Sequence, residues 1–507
     1  MNMEYTTAST LINLIDRFKD NQNIIEVISD KAGSISYSKL HEKVFERANQ
    51  YSLKGLRKGE IVITSIETSI DSIISFLACI VTGLIPASIK PINNDEDISI
   101  IEGIVKKYSI KYSANQIHSK IKTIAINLET SDTHNEHIKL PKISSKDIAF
   151  IQFSSGSTSN PKPVIISHCA LLTNIASIVS IDKRGPHSQG FNLLPLCHDM
   201  GLVGGLLSNF FYGNALLLVS IEAFLRNPMK CLYEAHKRKS CVTAMPNFIL
   251  QYLTKYLAIK ASKGNSNPIF EHFTSVYCGA EPIRRKTIKE FIDLAEIFSF
   301  KSNSLIFCYG MAETVLITTH HRFVNMKSSF SQDDNAYACV GRPINSISLE
   351  IINKDINGIG EIRVSGKSLF SGYDLSMNEP GYNHFKTGDV GYINSNNLYI
   401  TGRKKDIIIS NGRNIHSCDI ENYLSEHIDH DEVIVIPNNT NYDVVIASKK
   451  NTSNNISTEE INKLLIKKFE IKADNIFFLP RSSIRKTSSG KPIKHKIIET
   501  IKQLEYR

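Results

Sequence analysis

Small hydroxyl residues, a glycine and a lysine follow an apolar run in the stretch from Ser154 to Lys162. Backbone N–H groups and hydroxyls of such a loop converge readily on phosphate oxygens, and the lysine adds a positive charge. The spacing G-x-x-x-x-G-K-[ST] is absent, which argues against a P-loop NTPase. Ser/Gly-rich segments are also ordinary turns, so composition leaves both interpretations open. In the first interpretation, the β- and γ-phosphates of ATP bind to Ser155, Gly156, Ser157, Thr158 and Lys162.

The elements that must position this loop alternate between strands and helices. Residues 60–66 are predicted as a strand, 69–81 as a helix and 84–89 as a second strand, which together form a β-α-β unit. The alternation continues with a helix at residues 169–179 and strands at residues 148–153, 215–219, 241–245 and 275–278. This pattern predicts an α/β fold with a parallel sheet covered on both faces, and ligands outside the carboxyl ends of the strands.

The pattern changes to short strands and turns from about residue 348. Strands are predicted at residues 349–352, 360–365, 391–393 and 398–400, which indicates a β-rich subdomain. From Arg403 the chain carries strand and helix signals of its own, separated by polar loops. We therefore predict a large N-terminal domain, residues 1–402, and a small α+β domain, residues 403–507.

Length and composition agree with this organisation. A chain of 507 residues exceeds the size at which one hydrophobic core keeps growing, so two or more domains are expected. With 42% apolar and 21% charged residues, the composition is that of a globular protein. The net charge of +9 is spread along the chain, without an arginine-rich arm or zinc-finger spacing, so nucleic-acid binding is not predicted.

The cysteines and the apolar stretches indicate in which cellular compartment the chain is located. Nine cysteines occur singly, without a C-x-x-C pair, which argues against a disulfide framework and a zinc site. Reduced thiols and the lack of a recognisable secretory signal predict a cytoplasmic location. The longest apolar stretch, residues 73–89, contains Thr82, Gly83 and Pro86 and is too short for a membrane span.

Further short motifs follow the loop, and their order resembles that of the adenylate-forming superfamily of acyl-CoA synthetases, luciferases and peptide-synthetase adenylation domains. Between about Ile148 and Lys491 the chain carries Gly279-Ala280-Glu281-Pro282, Tyr309-Gly310-Met311-Ala312-Glu313-Thr314, Thr387-Gly388-Asp389, Gly402-Arg403-Lys404-Lys405-Asp406 and Lys486-Thr487-Ser488-Ser489-Gly490-Lys491. Any one of these could arise by chance, whereas all of them in order are highly specific. The segment Leu194 to Leu202 is similar to the fatty acyl-AMP ligase branch.

The resemblance implies an enzyme that uses ATP and Mg²⁺ to activate a fatty acid, or another carboxylic acid, as its acyl-adenylate. Pyrophosphate would leave, and the acyl group would pass to the phosphopantetheine thiol of an acyl carrier protein or to coenzyme A. Residues 1–402 would bind ATP and the acid. Residues 403–507 would form a mobile domain with its hinge at Lys405.

The resemblance assigns nucleotide binding to Gly279, Ala280, Glu281, Tyr309, Gly310, Thr314, Asp389 and Arg403. Tyr309 would offer a flat face to adenine, and Asp389 would accept hydrogen bonds from both ribose hydroxyls. Taken alone, each has a simpler interpretation, as a core tyrosine and a turn aspartate. The order of the motifs favours the nucleotide roles.

The resemblance also implies three catalytic residues, Lys491, Glu313 and His198. The Lys491 cation would stabilise the charge that builds on phosphoryl oxygens as the carboxylate attacks. Glu313 would hold Mg²⁺ against the phosphates, and His198 would line the acyl pocket. The simpler alternatives are a solvated lysine, a solvated loop glutamate and a core histidine satisfied by hydrogen bonds.

Two loop positions depart from the superfamily pattern, which has glycine where this chain has Ser159 and Pro163. Proline fixes φ and removes an N–H donor, so weakened ATP binding or a shifted loop is expected. Three alternatives to an acyl-AMP ligase stay open. They are an acyl-CoA ligase, an amino-acid adenylating enzyme in which Asp199 pairs with the substrate ammonium, and a nucleotide-binding scaffold without catalysis.

Overall fold

The structure, a computed structural model, describes residues 8–114, 121, 126–128, 140–153, 161–182, 184, 188–333, 336–375, 382–410, 413–428, 430, 432–438, 441–448, 456–486 and 492–505. Its helices are α1 (Leu11–Asp16), α2 (Tyr37–Leu53), α3 (Ile70–Val81), α4 (Asp95–Lys107), α5 (His168–Ile181), α6 (Ser208–Tyr212), α7 (Ile221–Arg226), α8 (Pro228–Lys237), α9 (Asn247–Ser262), α10 (Arg285–Ala295), α11 (Met326–Ser329), α12 (Ser417–His427), α13 (Thr458–Phe469) and α14 (Lys494–Glu505). A π-helical segment, Met200–Leu207, precedes α6.

The strands are β1 (Ile24–Ile28), β2 (Gly33–Ser36), β3 (Ile61–Ser65), β4 (Ile85–Ile89), β5 (Tyr112–Ala114), β6 (Ile126–Asn127), β7 (Ile148–Phe153), β8 (Pro163–Ser167), β9 (Gln189–Asn192), β10 (Leu216–Val219), β11 (Ser240–Ala244), β12 (Ser275–Cys278), β13 (Leu305–Gly310), β14 (Ile317–Arg322), β15 (Cys339–Pro343), β16 (Ile347–Ile352), β17 (Gly360–Gly366), β18 (Phe385–Asn394), β19 (Asn397–Arg403), β20 (Ile407–Ser410), β21 (Arg413–His416), β22 (Glu432–Pro437), β23 (Tyr442–Ser448) and β24 (Asn475–Pro480).

Six of these strands form one sheet, in the order β6-β5-β3-β4-β7-β8. Neighbours are parallel except for β7 and β8. The helix between β3 and β4 begins after Ser69, whose hydroxyl accepts a hydrogen bond from the N–H of Ser72. Every residue of α3 from Ser72 to Val81 is buried. The predicted β-α-β unit is therefore present, and each of its strands and its helix begins and ends within one residue of the prediction.

Thirteen strands form a second sheet, in the order β16-β17-β18-β19-β15-β14-β13-β12-β11-β9-β10-β1-β2. From β13 to β1 the neighbours are parallel. From β13 to β16 they are antiparallel. The β-rich part predicted from about residue 348 is thus an antiparallel extension of the parallel sheet. The predicted α/β class is confirmed.

The last part of the chain has small sheets of its own, β20 with β21 and β22-β23-β24. Two hydrophobic clusters lie within it, and their described members, such as Leu424, Val435 and Ile497, all follow residue 407. The division of the chain at residue 403 stays a prediction. Within the described ranges, no helix has both the length and the apolar character needed to cross a membrane.

Candidate functional site

A carboxylate, a phenol and a guanidinium meet near the end of β13, and we call Tyr309, Asp389 and Arg403 the carboxylate corner. The Tyr309 hydroxyl donates to Asp389 Oδ2 at 2.8 Å, and Arg403 Nε lies 3.2 Å from Oδ1. Asp389 is buried, whereas the Arg403 side chain is 51% exposed. Burial and the adjacent carboxylate raise the pKa of Tyr309 well above its usual range. The tyrosine therefore stays protonated and keeps donating to Asp389.

Strand register brings the corner together. Asp389 in β18 and Arg403 in β19 are paired residues of adjacent antiparallel strands. The hydroxyl of Thr387 accepts a hydrogen bond from the Asp389 N–H at 3.1 Å and donates to the Ile362 carbonyl at 3.0 Å. Gly388 between them has φ 73°, a value that strains residues with a side chain. Thr387 and Gly388 of the Thr-Gly-Asp motif thus shape the backbone that carries Asp389.

Glu313, the predicted metal ligand, lies beside a tyrosine outside the predicted set. Tyr373 Oη donates to Glu313 Oε1 at 2.6 Å, and Lys162 Nζ lies 5.4 Å from the centroid of the Tyr373 ring. The segment of Tyr373 is held against β8, where the N–H of Ile165 donates to the Gly372 carbonyl at 3.1 Å. Burial and the Glu313 carboxylate raise the pKa of Tyr373, so its hydroxyl stays protonated. Tyr373 therefore connects Lys162 with Glu313.

The turn that carries Glu313 is braced by α5. Asn174 is fully buried, and its Nδ2 donates to the carbonyls of Thr314 at 3.0 Å and Ile317 at 2.9 Å. Its Oδ1 accepts a hydrogen bond from the N–H of Ile317 at 3.2 Å. Thr314 is also fully buried, with its hydroxyl 2.8 Å from that of Thr318. These contacts shape the turn, and the nucleotide role of Thr314 stays a prediction.

Two glycines let the ends of β12 and β13 approach neighbouring backbone closely. A Cβ at Gly279 would lie 2.5 Å from the Cys308 carbonyl oxygen, and one at Gly310 would lie 1.7 Å from that of Leu316. Neither position has room for a side chain. Ala280, which follows Gly279, is exposed and has φ 67°. The two predicted motifs therefore meet where only small residues fit.

A cavity opens beside these strand ends. Ala280, Tyr309 and Gly310 line it on the side of the predicted nucleotide residues. Further lining comes from α5, the π-helical segment, β11 and β12. Much of this lining is apolar or small, and its polar side chains include Arg184, Asp199, Asn209, Thr243 and Tyr277. A concave, mostly apolar space with a few polar groups is typical of a small-molecule site.

His198 and Glu281 are not among the described lining residues of this cavity, although each is next in sequence to one that is. Asp199, directly after His198, lines the cavity, and so does Ala280. Glu281 Oε1 instead accepts the N–H of Phe248 at 2.5 Å, which ties the start of α9 to the end of β12. The catalytic role of His198 and the nucleotide role of Glu281 stay predictions.

The centre of the predicted phosphate loop, Ser155 to Thr158, lies outside the described residues, and so does Lys491. Their roles stay predictions. Lys162 is described and exposed. Pro163 begins β8 opposite Phe153, at the edge of the six-stranded sheet, where the missing N–H of proline is tolerated. That proline is therefore accounted for by the strand it begins.

Contacts between the C-terminal segment and the rest of the chain include a second tyrosine–carboxylate pair. Tyr337 Oη donates to Asp419 Oδ1 at 2.6 Å. Burial raises the pKa of Asp419 to about 7, although the Tyr337 hydrogen bond acts in the opposite direction. Elsewhere along the boundary, Lys496 forms an ion pair with Glu96. The described C-terminal segment is therefore joined to the larger part by polar contacts.

The fold and the sequence of this chain both match known proteins. A solved structure described as "Structural and Functional Studies of Fatty Acyl-Adenylate Ligases from E. coli and L. pneumophila" superimposes with a TM-score of 0.85 over 99% of both chains, at 23% identity. At that identity the similarity shows the fold alone. The chain belongs to the family of AMP-binding enzymes, because the sequence model of that family matches residues 15–374. The superfamily predicted from the motif order is confirmed.

Curated relatives match nearly the whole chain. The chain is 24% identical to the medium-chain-fatty-acid–[acyl-carrier-protein] ligase JamA of Moorena producens (strain JHB), over 95% of this chain and 93% of the relative. It is also 24% identical to the long-chain-fatty-acid–AMP ligase FadD26 of Mycobacterium marinum (strain ATCC BAA-535 / M), over 91% of this chain and 90% of the relative.

Proposed function

We propose that this chain uses ATP to convert a fatty acid, or a related carboxylic acid, into its acyl-adenylate, and then passes the acyl group to the phosphopantetheine thiol of an acyl carrier protein in the cytoplasm. Two relatives named as a fatty-acid–[acyl-carrier-protein] ligase and a fatty-acid–AMP ligase support this proposal over at least 91% of the chain. We assign ATP and acid binding to residues 1–402, and the mobile domain with its hinge at Lys405 to residues 403–507.

The observation that carries the proposal is the position of Tyr309. Its hydroxyl belongs to the carboxylate corner, and the same residue lines the cavity. A ribose held by Asp389 and an acid lying in the cavity would therefore have Tyr309 as a common neighbour. Such an arrangement favours attack of the acid on the phosphate that the ribose carries, because the two reactants are held side by side.

The reaction has two steps. In the first, a carboxylate oxygen of the acid attacks the α-phosphorus of ATP, the bond from that phosphorus to the bridging oxygen breaks, and pyrophosphate leaves. In the second, the thiol loses its proton to solvent, the resulting thiolate attacks the acyl carbonyl, the bond from that carbon to the phosphate oxygen breaks, and AMP leaves. We assign the stabilisation of the phosphoryl oxygens in the first step to the cations of Lys162 and Lys491.

The donor chemistry around Glu313 fits Mg²⁺. One carboxylate together with phosphate oxygens and water is a usual ligand set for this ion. The hydrogen bond from Tyr373 fixes the orientation of the Glu313 carboxylate. When bound, Mg²⁺ would supply neutralisation of the charge on the leaving pyrophosphate.

Pyrophosphate release tests this proposal. Purified protein with ATP, Mg²⁺ and straight-chain acids of short, medium and long chain should release pyrophosphate with at least one acid. Lys491→Ala should reduce this release sharply, whereas Lys467→Ala, exposed on α13, should not. Absence of release with every acid would overturn the enzyme assignment and favour a nucleotide-binding scaffold.

A second assay identifies the acceptor. Holo carrier protein and free coenzyme A are supplied separately to the acyl-adenylate, and the thioester is followed by mass. Transfer to coenzyme A alone would make the chain an acyl-CoA ligase. Because Asp199 lines the cavity, amino acids are included in the panel. Pyrophosphate exchange stimulated by amino acids and not by fatty acids would replace the proposed acid class.

A further inference from the structure

The cavity contains a buried cation that the proposed reaction does not use. Arg184 lines the cavity, and its side chain and that of its ion-pair partner Asp182 are both 0% exposed. Ala280, on the side of the nucleotide residues, is exposed. The cavity therefore extends from an open side at Ala280 to a closed end at Arg184, which we call the far end.

The guanidinium of Arg184 is held on three sides. Its Nε lies 2.9 Å from Asp182 Oδ2, and its Nη1 donates to Asn209 Oδ1 at 2.6 Å. Its Cζ lies 4.5 Å from the centroid of the Tyr212 ring. Asn209 is itself oriented, because its Nδ2 donates to the Gly205 carbonyl at 2.6 Å. Nη2 of Arg184 is buried and has no hydrogen-bond partner among the described residues, and Nε is paired with Asp182 by charge without a hydrogen bond.

A buried donor without a partner is costly, and native proteins usually satisfy such groups with protein atoms, water or a ligand. Arg184 lines the cavity, and its described contacts occupy Nε, Nη1 and one face of the guanidinium, so the cavity is a route by which a partner can reach Nη2. A plain alkyl chain would leave Nη2 unpaired and would exclude water from it. A second carboxylate would bring an excess negative charge, because Asp182 already balances Arg184.

We propose that this cavity selects a carboxylic acid that carries a neutral hydrogen-bond acceptor, a carbonyl oxygen, at the end remote from the reacting carboxylate. That oxygen accepts from Arg184 Nη2 at the far end. The inference rests on the proposed function, because it names the class of acid that is activated. Arg184 is thus a specificity-determining residue for the acid.

Pairs of acids matched in length and shape provide the test. One member of each pair ends in a methyl ketone and the other in an isopropyl group, and several chain lengths are compared by pyrophosphate release. At the length that fits, kcat/KM should be about tenfold higher or more for the ketone. The double variant Arg184→Met with Asp182→Asn removes the donor without leaving a lone buried carboxylate. In this double variant the ratio of kcat/KM for the ketone acid to kcat/KM for the isopropyl acid should fall to near one.

Two further variants separate specificity from folding. Arg184→Lys keeps a cation beside Asp182 but loses the planar donor, so the ratio should fall, and circular dichroism checks that the variant is folded. Arg285→Met, exposed on α10, should leave the ratio unchanged. The inference is overturned if the native protein shows no preference at any length, or if the preference persists in the double variant.

The proposed function and this inference fail in different ways. Activation of plain acids, with no advantage for any ketone, would retain the function and remove the specificity. If no acid releases pyrophosphate, the function fails, and calorimetric titration of the same acid pairs still tests the cavity. Equal binding of ketone and isopropyl acids by the native protein would then remove the inference as well.

Discussion

The carboxylate corner and the far end of the cavity are built from similar side chains that are satisfied to different degrees. In the corner, Tyr309 and Arg403 each contact one oxygen of Asp389. At the far end, Asp182 contacts Arg184 Nε, and Nη2 has no hydrogen-bond partner among the described residues. The corner therefore presents an anion whose partners are already in place, whereas the far end presents a donor that is still available.

Exposure decides how each group can recognise a ligand. The Arg403 side chain is half exposed, and an exposed ion pair contributes little, so a sugar can displace it from Asp389 at small cost. The Arg184 side chain is fully buried and is held by Asn209 and Tyr212, so it cannot move to meet a ligand. Asp389 in the corner can therefore exchange Arg403 for a sugar hydroxyl, whereas Arg184 at the far end can only gain a further hydrogen-bond partner.

Asp389→Asn breaks the corner and should have the largest effect. An amide cannot accept hydrogen bonds at both of its terminal atoms, so Tyr309 or a ribose hydroxyl loses its acceptor. We expect kcat/KM for ATP to fall about a hundredfold, as for the loss of charge-assisted hydrogen bonds. Asp293→Asn, exposed on α10, serves as the control. Unchanged kinetics in Asp389→Asn would remove the corner from the nucleotide site.

Tyr373→Phe extends the comparison to another tyrosine–carboxylate pair, that of Tyr373 with Glu313. Without the hydroxyl, the Glu313 carboxylate loses the bond that orients it, so we expect kcat to fall about tenfold and the Mg²⁺ concentration for half-maximal activity to rise. Titration of activity with Mg²⁺ measures both. Tyr233→Phe, exposed on α8, should leave both values at the native level. A loss of kcat with an unshifted Mg²⁺ titration would contradict the orienting role.

The Tyr337–Asp419 pair has the carboxylate–phenol bond of the corner without an arginine, since Asp419 has no ion pair among the described contacts. Burial raises its pKa from 3.8 to about 7, so folding favours the protonated form. The resulting stability is fully present below about pH 4 and is lost as the pH rises to about 7. We expect the free energy of unfolding to fall by about 1 kcal/mol between pH 6 and 7.

Denaturant unfolding at several pH values measures this slope. Asp419→Asn should lack it, because an amide does not titrate in this range. Asp443→Asn, a partly exposed position in β23, should retain it. The same slope in the native protein and in Asp419→Asn would assign the pH dependence to another group.

Arg403→Lys should have the smallest effect. A lysine keeps the charge near Asp389, and the side chain it replaces is half exposed, so the lost interaction is weak. We expect KM for ATP to rise about threefold with kcat unchanged. A change as large as that of Asp389→Asn would mean that the two sides of the corner contribute equally, which the difference in exposure argues against.

The sheets and the turn that carries Asp389 could be predicted because their determinants are local, whereas Tyr309 and Asp389, 80 residues apart, were assigned to one site only through the resemblance in motif order. A continuous apolar run with Ser69 as its cap predicts α3 between two strands, and the structure has it there. Thr387 and Gly388 shape the turn that carries Asp389, so a short motif marks the position. Such signals can be read along the chain without knowledge of the packing.

The far end could not be predicted, because its contacts join residues that are distant in sequence. Arg184 reaches Asn209, 25 residues away, and Tyr277 donates to Asp182, 95 residues away. The one local signal was a pair of opposite charges directly after an apolar helix. Tyr373 was missed for the same reason, since its partner Glu313 is 60 residues away.

The pairing of β1 with β10 has a consequence for biosynthesis. Ile25 and Leu216 are neighbours in the larger sheet, yet about 190 residues separate them along the chain. A nascent chain therefore carries the β1–β2 hairpin with the other edge of β1 unpaired until β10 has left the ribosome. The strands of the six-stranded sheet, β3 to β8, all emerge in that interval. The six-stranded sheet can thus assemble on the ribosome before β1 pairs with β10.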